Sequence, residues 1–121
     1  MPPDGTILYL EDEIIIALDT AQTLTEMGFV EVAVAHNLRK ARRLAEAQRF
    51  DYALLDVNLG DGEVSLPFGQ ELIANGVRVV FASGYNRAEM EAEHPGLVFV
   101  EKPLNAGNIG AALAAAASDP A

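Results

Sequence analysis

Short apolar runs alternate with amphipathic stretches along the chain. Thr6–Leu10 is apolar and ends at the acidic run Glu11-Asp12-Glu13. The next segment sets Ile14, Leu18, Ala21, Leu24 and Met27 three or four apart. That spacing predicts one buried face of a helix, with Gly28 as its stop. Val30–Val34 reads as a second strand. Asn37 is the predicted N-cap of a second helix with the apolar stripe Leu38, Ala41, Leu44 and Ala45. Tyr52–Leu55 reads as a third strand with Asp56 at its end, followed by a Gly60-Asp61-Gly62 loop. Pro67 falls in the first turn of a third helix that ends at Gly76. Val77–Ala82 and Leu97–Val100 are the fourth and fifth strands. Between them Asn86–Glu93 is a short acidic helix with little apolar surface to pack. Asn105–Ala117 closes the series as an Ala-rich helix of high propensity.

Strands that alternate with helices predict βαβ units and a parallel sheet covered on both faces. The unbroken apolar runs Tyr52-Ala53-Leu54-Leu55 and Val77–Ala82 support buried strands. Right-handed crossovers then give an α/β, doubly wound five-stranded parallel sheet with five helices. In such folds a ligand binds beyond the carboxyl ends of the strands, at the topological switch point.

Length and composition narrow the picture. A chain of 121 residues, half of them hydrophobic, suits a single domain with its core over about residues 6–117. It ends soon after the last helix, so no output domain is expected. The formal net charge of −10 repels a phosphate backbone, so no nucleic-acid partner is expected. Arg39, Lys40, Arg42, Arg43 and Arg49 are crowded into one short stretch. They form either a solvated helix face or a docking patch for an acidic partner. With no cysteine, disulfides and thiolate metal sites are excluded. The N-terminus lacks the pattern of a signal peptide, and no apolar run reaches membrane-spanning length. A cytoplasmic location and no membrane association are the expectation.

The rule about strand ends collects specific chemistry. Glu11 and Asp12 follow the first strand, Asp56 the third, Ser83 the fourth and Lys102 the fifth. Three carboxylates at one edge repel each other, which a hard divalent cation such as Mg²⁺ relieves by taking oxygen ligands. A carboxylate can attack phosphorus and form an acyl phosphate, with no general base needed because it is already ionised. A metal and a lysine neutralise charge on the phosphoryl oxygens, and a hydroxyl can donate to one of them.

Leu10-Glu11-Asp12-Glu13, Leu54-Leu55-Asp56-Val57-Asn58, Phe81-Ala82-Ser83-Gly84-Tyr85 and Glu101-Lys102-Pro103-Leu104 occur in this order. Together they make the chain resemble the receiver domains of two-component response regulators over essentially its whole length. The run from Phe81 to Tyr85 resembles a subfamily reading Phe-Ala-Thr-Gly-Tyr, often single-domain regulators. The resemblance implies a flavodoxin-like strand order of 2-1-3-4-5. It implies that Asp56 accepts the phosphoryl group and that Glu11, Asp12, Asp56 itself and the Asn58 backbone carbonyl hold Mg²⁺. Ser83 would be the switch hydroxyl, Lys102 the phosphate-binding lysine, and the Lys102–Pro103 bond cis. Phe99 stands where the family has its aromatic switch residue. Implied partners are a sensor histidine kinase or histidine phosphotransfer protein and a downstream protein. A dimer through helix 4, strand 5 and helix 5 would follow the family pattern.

Three departures stand out. Glu11 replaces a frequent Asp, Ser83 a commoner Thr, and Phe99 a frequent Tyr. Without a hydroxyl, Phe99 can switch only by packing, and it reads equally as plain core. Tyr85 is either a surface aromatic or a partner contact. His36 and His94 read as surface residues. Asp56–Gly62 resembles a calcium loop but has Asp61 at its sixth position and Pro67 at its twelfth, which excludes that reading. Two further functions compete with the receiver: a small aspartate-nucleophile phosphohydrolase, and a pseudo-receiver that binds without phosphorylation. The first would turn over external phosphate esters; the receiver would catalyse only its own phosphorylation and dephosphorylation.

Overall fold

The computed structural model describes residues 5–60 and 64–117. Asp61 and Gly62 of the predicted loop and Ser118–Ala121 lie outside the described residues. The elements run β1 (Thr6–Leu10), α1 (Ile14–Glu26), β2 (Glu31–Ala35), α2 (Leu38–Ala47), β3 (Tyr52–Asp56), α3 (Leu66–Ala74), β4 (Arg78–Ser83), α4 (Arg87–Glu93), β5 (Val98–Glu101) and α5 (Ala106–Ala117). All strand pairs are parallel, in the order β2-β1-β3-β4-β5. The chain leaves β1 to one side for β2 and then returns to its other side for β3. The switch point therefore lies between β1 and β3, where Leu10 is in register with Leu55.

Alternate strand residues feed two cores, as the period of two requires when both sheet faces are covered. Leu8, Leu10, Leu55 and Phe81 pack against Ala41 of α2, Phe68 and Leu72 of α3 and Met90 of α4. Ile7, Tyr9, Leu54 and Val80 pack against Ala17 and Leu24 of α1 and Ile109 and Leu113 of α5. Gly69 lies where α3 crosses β4; a Cβ there would overlap the Phe81 ring.

The helix ends follow local chemistry. Asn37 caps α2 by accepting the Lys40 N–H at 2.8 Å. Asn86 caps α4 by accepting from Ala88 and Glu89. Asn105 and Asn108 accept from each other's backbone N–H at the start of α5. Gly28 and Gly76 take positive φ after α1 and α3, which is why glycine ends them.

The predicted face of α1 needs correcting. Leu24 is buried and Ala21 and Met27 partly so, as predicted, but Ile14 and Leu18 are exposed and Ala17 and Thr20 take their place. At about 100° per residue, the buried arc runs from Thr20 to Ala17 with Leu24 between them, and Leu18 falls well off it. Small side chains let this helix lie close over Tyr9 and the sheet. Several boundaries also shift by one residue: Val30 is exposed and precedes β2, and Asp56 and Ser83 end their strands instead of following them.

Candidate functional site

The parallel strands bring the predicted residues to one edge. Glu11 extends the pairing of β1 with β2 by one bond, its N–H donating to the Ala35 carbonyl at 3.0 Å. Its side chain is buried, and one carboxylate oxygen accepts the Glu13 N–H at 3.2 Å. Asp56, at the end of β3, is also buried. Lys102 follows β5 and is tied to β4 by its N–H donating to the Ser83 carbonyl at 2.9 Å. From there its side chain reaches back over the sheet edge. Lys102 Nζ donates to Asp56 Oδ2 at 3.0 Å and to Glu11 Oε1 at 3.1 Å. The Lys102–Pro103 bond is cis. Asp12 accepts the Gly60 N–H at 2.8 Å, which binds the loop after β3 to the loop after β1.

Burial is the main force pushing the Glu11 carboxyl above its ordinary range, and the Asp56 charge adds to it. The Glu13 N–H and Lys102 oppose the shift without cancelling it. For Lys102 burial acts downward, but the hydrogen bond and attraction to Asp56, joined by Glu11, hold the ammonium above its usual range. The lysine is therefore a fixed positive charge at neutral pH, held against two acids.

Ser83 is buried, and its Oγ accepts the Tyr85 N–H at 3.0 Å, which leaves the hydroxyl proton for another acceptor. Asn58 is exposed and forms an isolated antiparallel bridge with Val64. Phe99 is buried in the core, its ring 5.5 Å from Phe81 and 6.0 Å from His94 between centroids. Both histidines are half-buried, contrary to the expectation of surface residues. His94 packs on Phe99, and His36 Nδ1 lies 3.0 Å from the Glu11 carbonyl oxygen. Tyr85 is exposed at the rim.

Ser65 is a residue that the sequence pattern did not single out. It is fully buried, and its Oγ donates to the Asp56 carbonyl at 2.7 Å. Its own N–H donates to the Val57 carbonyl at 3.1 Å. It thus fastens the far end of the loop that carries Asn58 and Gly60 to the end of β3. A serine before a Leu-Pro helix start reads from sequence as an ordinary cap; here its hydroxyl makes no cap bond and turns to the strand instead.

Carboxylate oxygens of Glu11, Asp12 and Asp56 all lie within 4.8 Å of one another. Asp12 and Asp56 open into a cleft of about 410 Å³ bordered by Asn58, Gly60, Gly84, Tyr85 and Lys102, with Glu11 buried behind it. Three hard anionic donors opposed by one ammonium suit a hard divalent cation, and the residues present fit one. Among the described residues no helix is long and apolar enough to cross a membrane.

No family model matches the chain. The phyllosphere-induced regulator PhyR of Methylorubrum extorquens is 30% identical over 113 residues, 91% of this chain but 42% of PhyR. The chain thus spans less than half the length of that relative. A response regulator protein of Burkholderia pseudomallei, solved with a phosphorylated aspartic acid, calcium ion and citrate, is 29% identical. It superposes with a TM-score of 0.77 over 91% of this chain and 66% of its own. The solution structure of SdrG from Sphingomonas melonis Fr1 is 30% identical, with a TM-score of 0.78 over 93% of this chain and 96% of SdrG. Matched almost end to end by a relative of its own size, and built on the strand order and strand-end chemistry described above, the chain belongs to the response-regulator receiver family.

Proposed function

We propose that this chain is a phosphorylation-switched signalling receiver. Asp56 takes a phosphoryl group from a phosphohistidine of a sensor histidine kinase or histidine phosphotransfer protein. The observation that carries this reading is the Lys102 bridge, one ammonium within 3.1 Å of both Glu11 and Asp56, beside an open cleft. A structural ion pair needs no cleft and no third carboxylate.

Glu11, Asp12 and Asp56 would hold Mg²⁺, with the Asn58 carbonyl as a further oxygen donor. When bound, the metal supplies charge that neutralises the phosphoryl oxygens. In the transfer, an Asp56 oxygen forms the bond to phosphorus as the phosphorus–nitrogen bond of the donor breaks, and the freed imidazole nitrogen takes up a proton. Lys102 remains beside Asp56 and pairs with the new dianionic group. The Ser83 hydroxyl, with its oxygen already engaged by Tyr85 N–H, gives its proton to a phosphoryl oxygen. Because the same Ser83 residue meets Lys102 through its carbonyl, both groups shift together with the β4–α4 loop. Phe99, packed on His94 at the end of α4, carries that shift by packing alone.

Exposed Ile14, Ile15 and Leu18 lie in the first turns of α1, after the acidic run whose Glu13 borders the cleft, and offer an apolar contact to a donor. The output is a protein contact or a phosphate relay, with α4, β5 and α5 as the responding face and dimerisation surface. Incubation with acetyl phosphate and Mg²⁺ tests the assignment. Wild type should gain one phosphoryl group and Asp56→Asn none; equal uptake by the variant would place the acceptor elsewhere.

A further inference from the structure

The second charged feature lies on α2, away from the acidic cleft. Residues 39–49 carry five cations and one acid, Glu46, for a net +4. The rest of the chain carries three cations and seventeen acids, for a net −14. So concentrated a reversal of sign is more than a solvated face requires. Among the described residues only Arg42 of these cations forms an ion pair, donating through both terminal nitrogens to Glu71 at 3.1 and 3.2 Å. Arg39, Lys40, Arg43 and Arg49 are exposed and unpaired.

The fold adds a cleft to this strip. Between α2 and α3 lies a depression of about 490 Å³, with Phe50, Phe68, Leu72 and Val77 in its wall and Arg49 at its end. Arg42 bridges it, its guanidinium 5.1 Å over the Phe68 ring. A second depression along the outer side of α2 shares Arg42 and Glu46 with the first and adds Arg39 and Arg43. The apolar-walled cleft, whose rim carries Arg42 and Arg49 beside Glu46 and Glu71, is therefore continuous with the cationic outer side of α2. Phe50 lies two residues before β3 and Val77 one before β4, which places the inner wall of the cleft at the end of the sheet opposite Asp56, while Arg39 and Arg43 lie in the first turns of α2.

We infer that the α2–α3 face docks a short acidic segment of a protein partner. Its carboxylates meet Arg39, Arg43 and Arg49, and one apolar side chain enters the cleft beside Phe68. Charge complementarity selects the occupant. The strip is one ten-residue helix long, about 15 Å. A short acidic segment can end within it, whereas a nucleic acid would run on into the acidic remainder of the surface.

Amide shifts of the ¹⁵N-labelled full chain provide the test. The probe is a synthetic helical peptide of glutamates with leucines three and four apart; the control replaces its glutamates with lysines. The expected result is shifts confined to α2, residues 48–50 and α3, for the acidic peptide only. Affinity should fall about tenfold or more in Arg39→Glu/Arg43→Glu, and again at high salt. Phosphoryl uptake on Asp56 should be unchanged in that variant, which verifies its fold and separates this inference from the receiver assignment. Shifts that are absent, scattered, or indifferent to the charge reversal overturn it. Equal binding of a single-stranded oligonucleotide would make the strip a general polyanion surface and also overturn it. Self-association in sedimentation, lost in the same variant, would assign the face to a second copy of the chain instead.

Discussion

Replacing Ser65 with alanine removes one oxygen from a site that water does not reach. That oxygen donates to the Asp56 carbonyl at 2.7 Å, and the residue is fully buried. Losing a buried donor costs about 1–3 kcal/mol, because the acceptor is left without its partner. The cavity created is smaller than a methyl group and adds little. For a domain of this size each kcal/mol moves the thermal midpoint by about 4 °C, so a fall of roughly 4–12 °C is expected. In urea the midpoint should drop with the slope unchanged, since the surface exposed on unfolding is the same. The backbone bond from Ser65 to Val57 survives, so the loop stays attached but loses its tie to Asp56. That loop presents the Asn58 carbonyl and the Gly60 N–H that holds Asp12, so Mg²⁺ affinity should weaken several-fold alongside stability. Paired urea unfolding and Mg²⁺ titration measure both. An alanine variant that matches wild type within a few tenths of a kcal/mol and binds the metal equally well would refute this role for Ser65.

The ion-pair cluster makes further predictions. Glu11 has its carboxyl pushed up in the folded chain, so its ionisation opposes folding as pH rises above the ordinary 4.5. In metal-free protein Glu11→Gln should therefore melt higher than wild type at neutral pH. The gain should vanish as pH falls through the raised Glu11 value, which a melting series across pH checks. Lys102 is shifted the same way, but for a base a raised value means stability that is present below 10.5 and lost as pH climbs beyond it; Lys102→Met should abolish that alkaline loss. The same variant removes a cation from beside two carboxylates, so Mg²⁺ should bind more tightly by calorimetry while phosphoryl uptake slows. Gly69→Ala drives a Cβ into the Phe81 ring and should destabilise by about 1–3 kcal/mol in spite of alanine's better helix propensity, as read by urea unfolding.

Hydrophobic spacing was enough to place every strand within about a residue, because continuous apolar runs of this length fit only a sheet buried on both faces. It also brought Glu11, Asp12, Asp56, Ser83 and Lys102 to one edge, since parallel strands all end there. Spacing misjudged α1 because two phases of that helix are apolar. Leu24 belongs to both, Ile14 and Leu18 to one and Ala17 to the other, and only the closeness of α1 to Tyr9 and the sheet selects the smaller side chains. Ser65 escaped notice for a different reason. Its local sequence is that of a helix cap, and its actual partner is a backbone carbonyl nine residues back, whose position depends on how the loop folds. The half-burial of His36 and His94 likewise follows from tertiary contacts, with the Glu11 carbonyl and the Phe99 ring, that no local pattern encodes.

The central claim is that Asp56 is a nucleophile held ready by Lys102 beside a divalent-cation site. Intact-mass measurement after incubation with acetyl phosphate, with and without Mg²⁺, tests it most directly. The account predicts one phosphoryl group on wild type with Mg²⁺, none with chelator, and none on Asp56→Asn under either condition. Uptake that persists in Asp56→Asn, or that proceeds equally well in chelator, would contradict it.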